Sequence, residues 1–85
     1  MDRVSVKEQL SELNFADNLK WLRLSRILPL SQEHVARRIG ITRASYSNYE
    51  NGRRIPPLHV VIAVAEYFMV EITSLLMVQN DGEDT

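Results

Sequence analysis

SQEHVARRIGITRASYSNYENGRR, residues 31–54, holds two short helical patterns on either side of Ile39-Gly40-Ile41, closed by a turn with paired arginines. Ser31 is placed to cap the first helix, because a serine oxygen accepts from the free N–H groups of an opening turn. Glu33 falls in that turn, where negative charge suits the helix dipole. Val35, Ala36 and Ile39 share the inward face. Gly40 stops the helix, since glycine adopts the left-handed C-cap conformation at little cost. Thr42 caps a second helix running to about Glu50, with Tyr46 and Tyr49 on one side, and Asn51-Gly52 makes the exit turn.

Upstream, Ser5-Val6-Lys7-Glu8 fits a capping box, and Val6, Gln9, Leu10 and Leu13 follow at the spacings of a short amphipathic helix. Asn14, with Asp17 three residues on, offers the N-cap of a further helix lined by Phe15, Leu19, Leu22 and Ile27. Pro29 ends it, because the residue before a proline is pushed out of the helical region.

Downstream, Arg53-Arg54-Ile55-Pro56-Pro57 reads as an extended loop, with Pro57 in the first turn of the next helix. Leu58, Val61, Ile62, Ala65 and Phe68 form that helix's buried stripe, widened by Val60 and Val64. The run Val60-Val61-Ile62 would also suit a strand, and the period near 3.6 decides for helix. A last helix spans about Ile72 to Val78. The fold expected is therefore all-α, a compact five- to six-helix bundle. Residues 1–13 are an N-terminal extension, 14–78 the domain, and 79–85 a mobile polar tail.

Eighty-five residues suffice for one small domain, and the 45% hydrophobic, 25% charged composition is that of a folded globule rather than a disordered chain. The absence of cysteine excludes a disulfide framework and thiolate metal sites, and fits a cytoplasmic, nucleoid-associated protein. His34 and His59 have no ligand company at metal spacing, so no metal or cofactor is expected. The longest aliphatic run, Val60 to Ala65, is far short of the roughly 20 residues a spanning helix needs, so no membrane is expected. No nucleophile–base pair, phosphate-cradling glycine loop or paired-carboxylate site stands out, which speaks against an enzyme.

The net charge of −1 conceals a polar distribution. Residues 20–54 carry eight basic side chains against two acidic ones, hence +6, whereas the remainder carries two against nine, hence −7. Such a molecule can turn a positive face to a polyanion. Two helices joined by a tight turn suit duplex DNA, because the major groove, about 12 Å wide, admits one helix whose first residues reach the base edges. Arg43, Ala44, Ser47 and Asn48 fall on the exposed side of the second helix, and Tyr46 and Tyr49 on the side facing the bundle.

These residues resemble the Cro and lambda-repressor-like helix-turn-helix regulators of phages and bacteria. The resemblance covers about Phe15 to Leu76. It is carried by Leu19, Leu22-Arg23, Leu30-Ser31-Gln32-Glu33, Val35-Ala36, Ile39-Gly40-Ile41, Tyr49-Glu50-Asn51-Gly52, Pro56, Ala65 and Leu75-Leu76. It implies that Arg43, Ala44, Ser47 and Asn48 look at bases, arginine being suited to guanine, asparagine to adenine and alanine to a thymine methyl. It implies backbone contacts for Gln32, Thr42, Asn51, Arg53 and Arg54, which fix register without reading sequence. Glu50 is implied to pair with Arg23. Tyr46 stands where a smaller aliphatic residue is common and reads as core packing, and Trp21 as either packing or part of an interface patch.

The chain departs from the family pattern in three places. The link LSRILPLS, residues 24–31, is about two residues longer than usual, so that the helix extends or the loop bulges. Met69 stands where a glycine C-cap is common, and Glu71 where Ser, Thr or Asp is common.

The function so implied is a sequence-specific, double-stranded DNA-binding transcriptional regulator, a repressor binding a palindromic operator as a homodimer. Val70, Ile72, Leu75, Leu76, Met77 and Val78 are the candidate dimer surface, with the leading helix as the alternative. An antitoxin with a toxin partner, a restriction-modification controller, and a helix-turn-helix scaffold for protein–protein binding are the other readings.

Overall fold

Asn14 does not start a helix. In the computed structural model of the protein, which describes the backbone of residues 3–77 and the side chains of residues 14–77, it lies in the middle of one long helix. That helix, α1, runs Arg3–Leu24, and is followed by α2 Gln32–Ile39, α3 Arg43–Glu50, α4 Leu58–Phe68 and α5 Ile72–Leu76. There is no strand among the described residues.

The expected break at residues 13–14 is absent because the Asn14 amide has a distant partner. Its Nδ2 donates to the Leu76 carbonyl at 3.4 Å, so the side chain is not turned back as a cap. The expected capping box Ser5–Glu8 falls inside α1, where side chains lie outside the described residues; Val78 and the tail also lie outside them.

The other end of α1 differs too. The helix stops at Leu24, well before Pro29. The Arg23 carbonyl accepts from the Leu30 N–H at 3.1 Å, and the Arg23 Nη1 donates to the Leu30 carbonyl at 2.9 Å. This reciprocal neck pinches residues 24–29 out as a bulge. Ile27, expected to line α1, is instead 98% exposed at its tip.

α2 and α3 carry the caps that local chemistry prescribes. The Ser31 hydroxyl accepts from the His34 N–H at 3.0 Å, and the Thr42 hydroxyl from the Ser45 N–H at 3.0 Å. Gly40 ends α2 at φ 83°, while the N–H groups of Gly40 and Ile41 return to the carbonyls of Arg37 and Ala36. The C-terminus of α4 is closed in the same manner by Met69 at φ 58°, the one non-glycine residue with positive φ among those described. A Cβ makes this conformation costly.

The core joins Phe15 and Leu19 of α1, Val35 and Ala36 of α2, Tyr46 of α3, Val60, Val61, Val64, Ala65 and Phe68 of α4, and Leu75 of α5. Burying each large side chain contributes roughly 1.5–3 kcal/mol. Of the expected stripe of α4, Val61, Ala65 and Phe68, with the widening Val60 and Val64, are buried, whereas Leu58 is 68% exposed. Ile62 likewise faces solvent. Because α4 packs against both α2 and α5, the smaller valines fill the tight contacts. Pro57 is the N-cap of α4 rather than its first-turn residue.

Five residues are too few for a helix to stand alone, and α5 is held from outside. Asn18, buried on α1, donates its Nδ2 to the carbonyls of Ser74, Leu75 and Met77 at 3.2, 2.8 and 2.8 Å. They lie at the C-terminal end of α5 and just past it, where intrahelical donors run out.

Candidate nucleic-acid interface

α3 presents two opposed faces. Arg43 and Ala44 in its first turn are exposed, Ser47 and Asn48 are half-buried, and Tyr46 and Glu50 are buried. The cap explains the front: with Thr42 satisfying the Ser45 N–H, the helix starts in solvent and its first side chains stand clear.

The rear of α3 is held by a charged knot. Arg23 Nε donates to Glu50 Oε1 at 2.9 Å and Nη2 to Oε2 at 2.6 Å, with side-chain exposures of 11% and 1%. Gln32 Nε2 adds a bond to Glu50 Oε2 at 3.2 Å. Burial pushes the Glu50 carboxyl up, but the Arg23 guanidinium, and after it the neighbouring Tyr46 phenol and Gln32 amide, outweigh it and hold it below the usual carboxylate range. Hydrogen bonding to Glu50 raises Arg23 despite its burial, so both groups are charged at neutral pH. Gln32, expected at a phosphate, thus has one amide hydrogen bond directed into the knot. The Tyr46 hydroxyl is buried without a hydrogen-bond partner. Burial, and after it the Glu50 carboxylate, push the phenol far up, so it stays neutral.

Behind α3 the chain turns on itself. Gly52 takes φ 73°, and the Asn48 carbonyl accepts from the N–H groups of Arg53 and Arg54 at 2.9 and 3.3 Å. Asn51 Nδ2 donates to Ser47 Oγ at 3.2 Å. The turn therefore brings Asn51, Arg53 and Arg54, all exposed, next to Ser47 and Asn48.

The positive segment divides by role. Arg23 is neutralised by Glu50, Arg37 meets Glu33 at 3.3 Å on the surface, and the Arg26 guanidinium lies over the Phe68 ring, 5.2 Å from its centroid. Arg38, Arg43, Arg53 and Arg54 are exposed with no ion-pair partner among the described residues. Arg43 on the front of α3, with Arg53 and Arg54 in the turn that follows it, can meet an anionic backbone. His34 and His59 are exposed, and no group of three or more potential metal ligands occurs among the described residues. No described helix is long and apolar enough to cross a membrane.

The expected dimer surface needs correction. Leu75 is fully buried in the core and Leu76 packs partly against it, because a five-residue helix needs both to dock. Val70, Ile72 and Met77 remain at the surface to differing degrees. Asn14 and Asn18 escaped the sequence reading as positioning residues. Their signal was an amide at positions 14 and 18, in register with Phe15, Leu19 and Leu22.

Comparison with known proteins agrees with this geometry. Residues 19–75 match a family model described as helix-turn-helix. Over 62 residues, 73% of this chain, the sequence is 36% identical to the cryptic phage CTXphi transcriptional repressor RstR of Vibrio cholerae. It is equally similar, 36% over 62 residues, to the helix-turn-helix-type transcriptional regulator YqaE of Bacillus subtilis (strain 168). The match covers 54% and 52% of those proteins, so the chain spans about half of their length. The solution structure of the SOS-response transcriptional repressor LexA from Eubacterium rectale superposes with a TM-score of 0.75 at 24% identity, over 88% of this chain and 78% of that one. That likeness shows the fold. With both caps, the turn and all of the core but Phe15 falling within the matched segment, the chain belongs to the Cro/C1-type helix-turn-helix family of phage and bacterial transcriptional regulators.

Proposed function

We propose that the protein is a sequence-specific, double-stranded DNA-binding transcriptional repressor of the bacterial or phage cytoplasm that reads a palindromic operator as a homodimer. The observation that carries this reading is the division of α3: a solvated front of Arg43 and Ala44, and a rear fixed by the Arg23–Glu50 pair. Arg43, Ala44, Ser47 and Asn48 read base edges in the major groove. Thr42, Asn51, Arg53 and Arg54 contact phosphates, and Gln32 supports the reader through Glu50. The name of one relative, a transcriptional repressor, points the same way. A dimer is invoked because one small domain covers too little DNA for tight specificity, and two-fold symmetry sets half-sites about 34–36 Å apart.

Selection of bound duplexes from a random pool, followed by anisotropy titrations at increasing salt, tests the reading. A palindromic winner is expected. Each neutralised phosphate contributes about 0.9 to the slope of log affinity against log salt. Binding that is absent or indifferent to salt overturns the proposal and favours a protein-binding scaffold.

A further inference from the structure

We propose that the bulge between α1 and α2 and the corner between α4 and α5 are two halves of one self-complementary surface, on which a second copy of this chain docks. The inference rests on the dimeric reading above and deepens it by assigning the surface.

The bulge displays the wrong chemistry for a free loop. Ile27 and Leu28 are 98% and 79% exposed at its tip, where polar residues would suit water. Trp21 at 57% and Leu24 at 44% continue the apolar surface down α1. Two contacts join this region to the α4–α5 corner. Arg26 lies on the Phe68 ring, beside Met69, which is 86% exposed. Trp21 and Val70 wall one groove, together with Leu22 and Ser74. Apolar groups from three segments thus meet in one place.

Their extent suits a dimer. Ile72 adds to the patch at 37% exposure, and the six large side chains together offer on the order of 700 Å², close to the roughly 800 Å² per partner of a standard interface. The α5 stretch alone falls short, since Leu75 belongs to the core. Charge selects the occupant. Exposed Lys20 and Arg26 come from the α1–bulge half, with exposed Asp17 one turn before Trp21 and Arg26 reaching over to Phe68, and exposed Glu66 and Glu71 flank the corner half. A two-fold axis between the halves sets each basic side against the partner's acidic one. An unrelated apolar segment would leave these charges unmatched.

The test is sedimentation equilibrium of the whole chain without DNA. The wild type is compared with Ile27→Asp/Leu28→Asp, with Glu71→Lys, and with Ile55→Asp, a control at a residue exposed elsewhere. Circular dichroism checks that each variant folds. A wild-type dimer is expected, with the double variant at least about tenfold weaker, Glu71→Lys weakened to a lesser degree, and the control unchanged. A wild type that stays monomeric up to about 100 μM, or a folded double variant that dimerises within twofold of wild type, overturns the inference. Titrating the same proteins with duplex DNA separates the two claims. Salt-dependent binding by a wild type that stays monomeric leaves the DNA reading standing and removes the surface assignment; a wild type whose dimer is broken by the bulge variant but which itself binds no DNA does the reverse.

Discussion

Replacing Glu50 by Gln keeps the shape of the charged knot and removes its negative charge. In the wild type Glu50 is 1% exposed at its side chain and receives three hydrogen bonds, two from Arg23 and one from Gln32. The variant leaves an arginine head only 11% exposed with no counter-charge, a defect costing about 3–5 kcal/mol. The whole domain is expected to have about 4–13 kcal/mol of stability at 0.05–0.15 kcal/mol per residue, so Glu50→Gln removes a large part of it. In a domain of this size the loss corresponds to a fall in Tm of at least about 12 °C.

The effect has a pH signature. The folded carboxyl lies below its ordinary value of 4.5. Its contribution is therefore complete above that value and is lost as pH falls through the folded pKa. Thermal and urea unfolding from pH 7 downward should show wild type and variant converging on the acid side. Replacing both partners, Arg23→Met with Glu50→Leu, should be milder than either single change, because no charge is then stranded. A loss under about 1 kcal/mol at pH 7, or a gap independent of pH, would refute the assignment of this pair as the anchor of α3.

Gly40→Ala is expected to cost about 1–2 kcal/mol, read as a lower urea midpoint, because φ is 83° and the added Cβ meets nothing within 4 Å, leaving the backbone penalty alone. Met69→Gly, measured in the monomeric Ile27→Asp/Leu28→Asp background, should move the midpoint the other way by up to about 1 kcal/mol, since Met69 holds the same conformation at φ 58° with its side chain exposed in the single chain. Asn18→Ala should cost about 2–3 kcal/mol and accelerate amide exchange in residues 72–77, which lose their link to α1. Arg43→Ala should relax base preference by about 1–3 kcal/mol at one position, whereas Arg53→Ala should weaken all sequences alike and reduce the salt slope by about 1. Competition titrations with single-base operator variants check both, and identical behaviour of the two would count against their division of labour.

Readability from sequence followed the range of the determining interaction. Ser31, Gly40 and Thr42 were assigned to the residue because a cap acts over three or four positions of its own chain. Asn14 misled for the opposite reason: its local surroundings spell a cap, while its amide serves Leu76, 62 positions away. The early end of α1 depends on an Arg23–Leu30 neck that no periodicity encodes. α4 is apolar nearly all round, so which of its residues face inward was set by α2 and α5 rather than by pattern. Of the candidate site, the exposure of Arg43 and Ala44 followed from helical register, whereas the attachment of Gln32 to Glu50 required two helices to be seen together.

The anchoring of α3 also gives it the mechanics of a lever. Tyr46, fully buried, acts as the fulcrum, with Glu50 about 6 Å behind it and Arg43 about 4.5 Å ahead at 1.5 Å per residue. Slack at the rear is transmitted to the front with opposite sign and about three quarters of its amplitude. A shift of 1 Å at Glu50 would displace Arg43 by more than the roughly 0.5 Å that precise recognition tolerates. On the proposed DNA reading, substitutions at Arg23, on a helix that carries none of the proposed base-reading residues, therefore retune operator choice by moving those side chains without changing any of them.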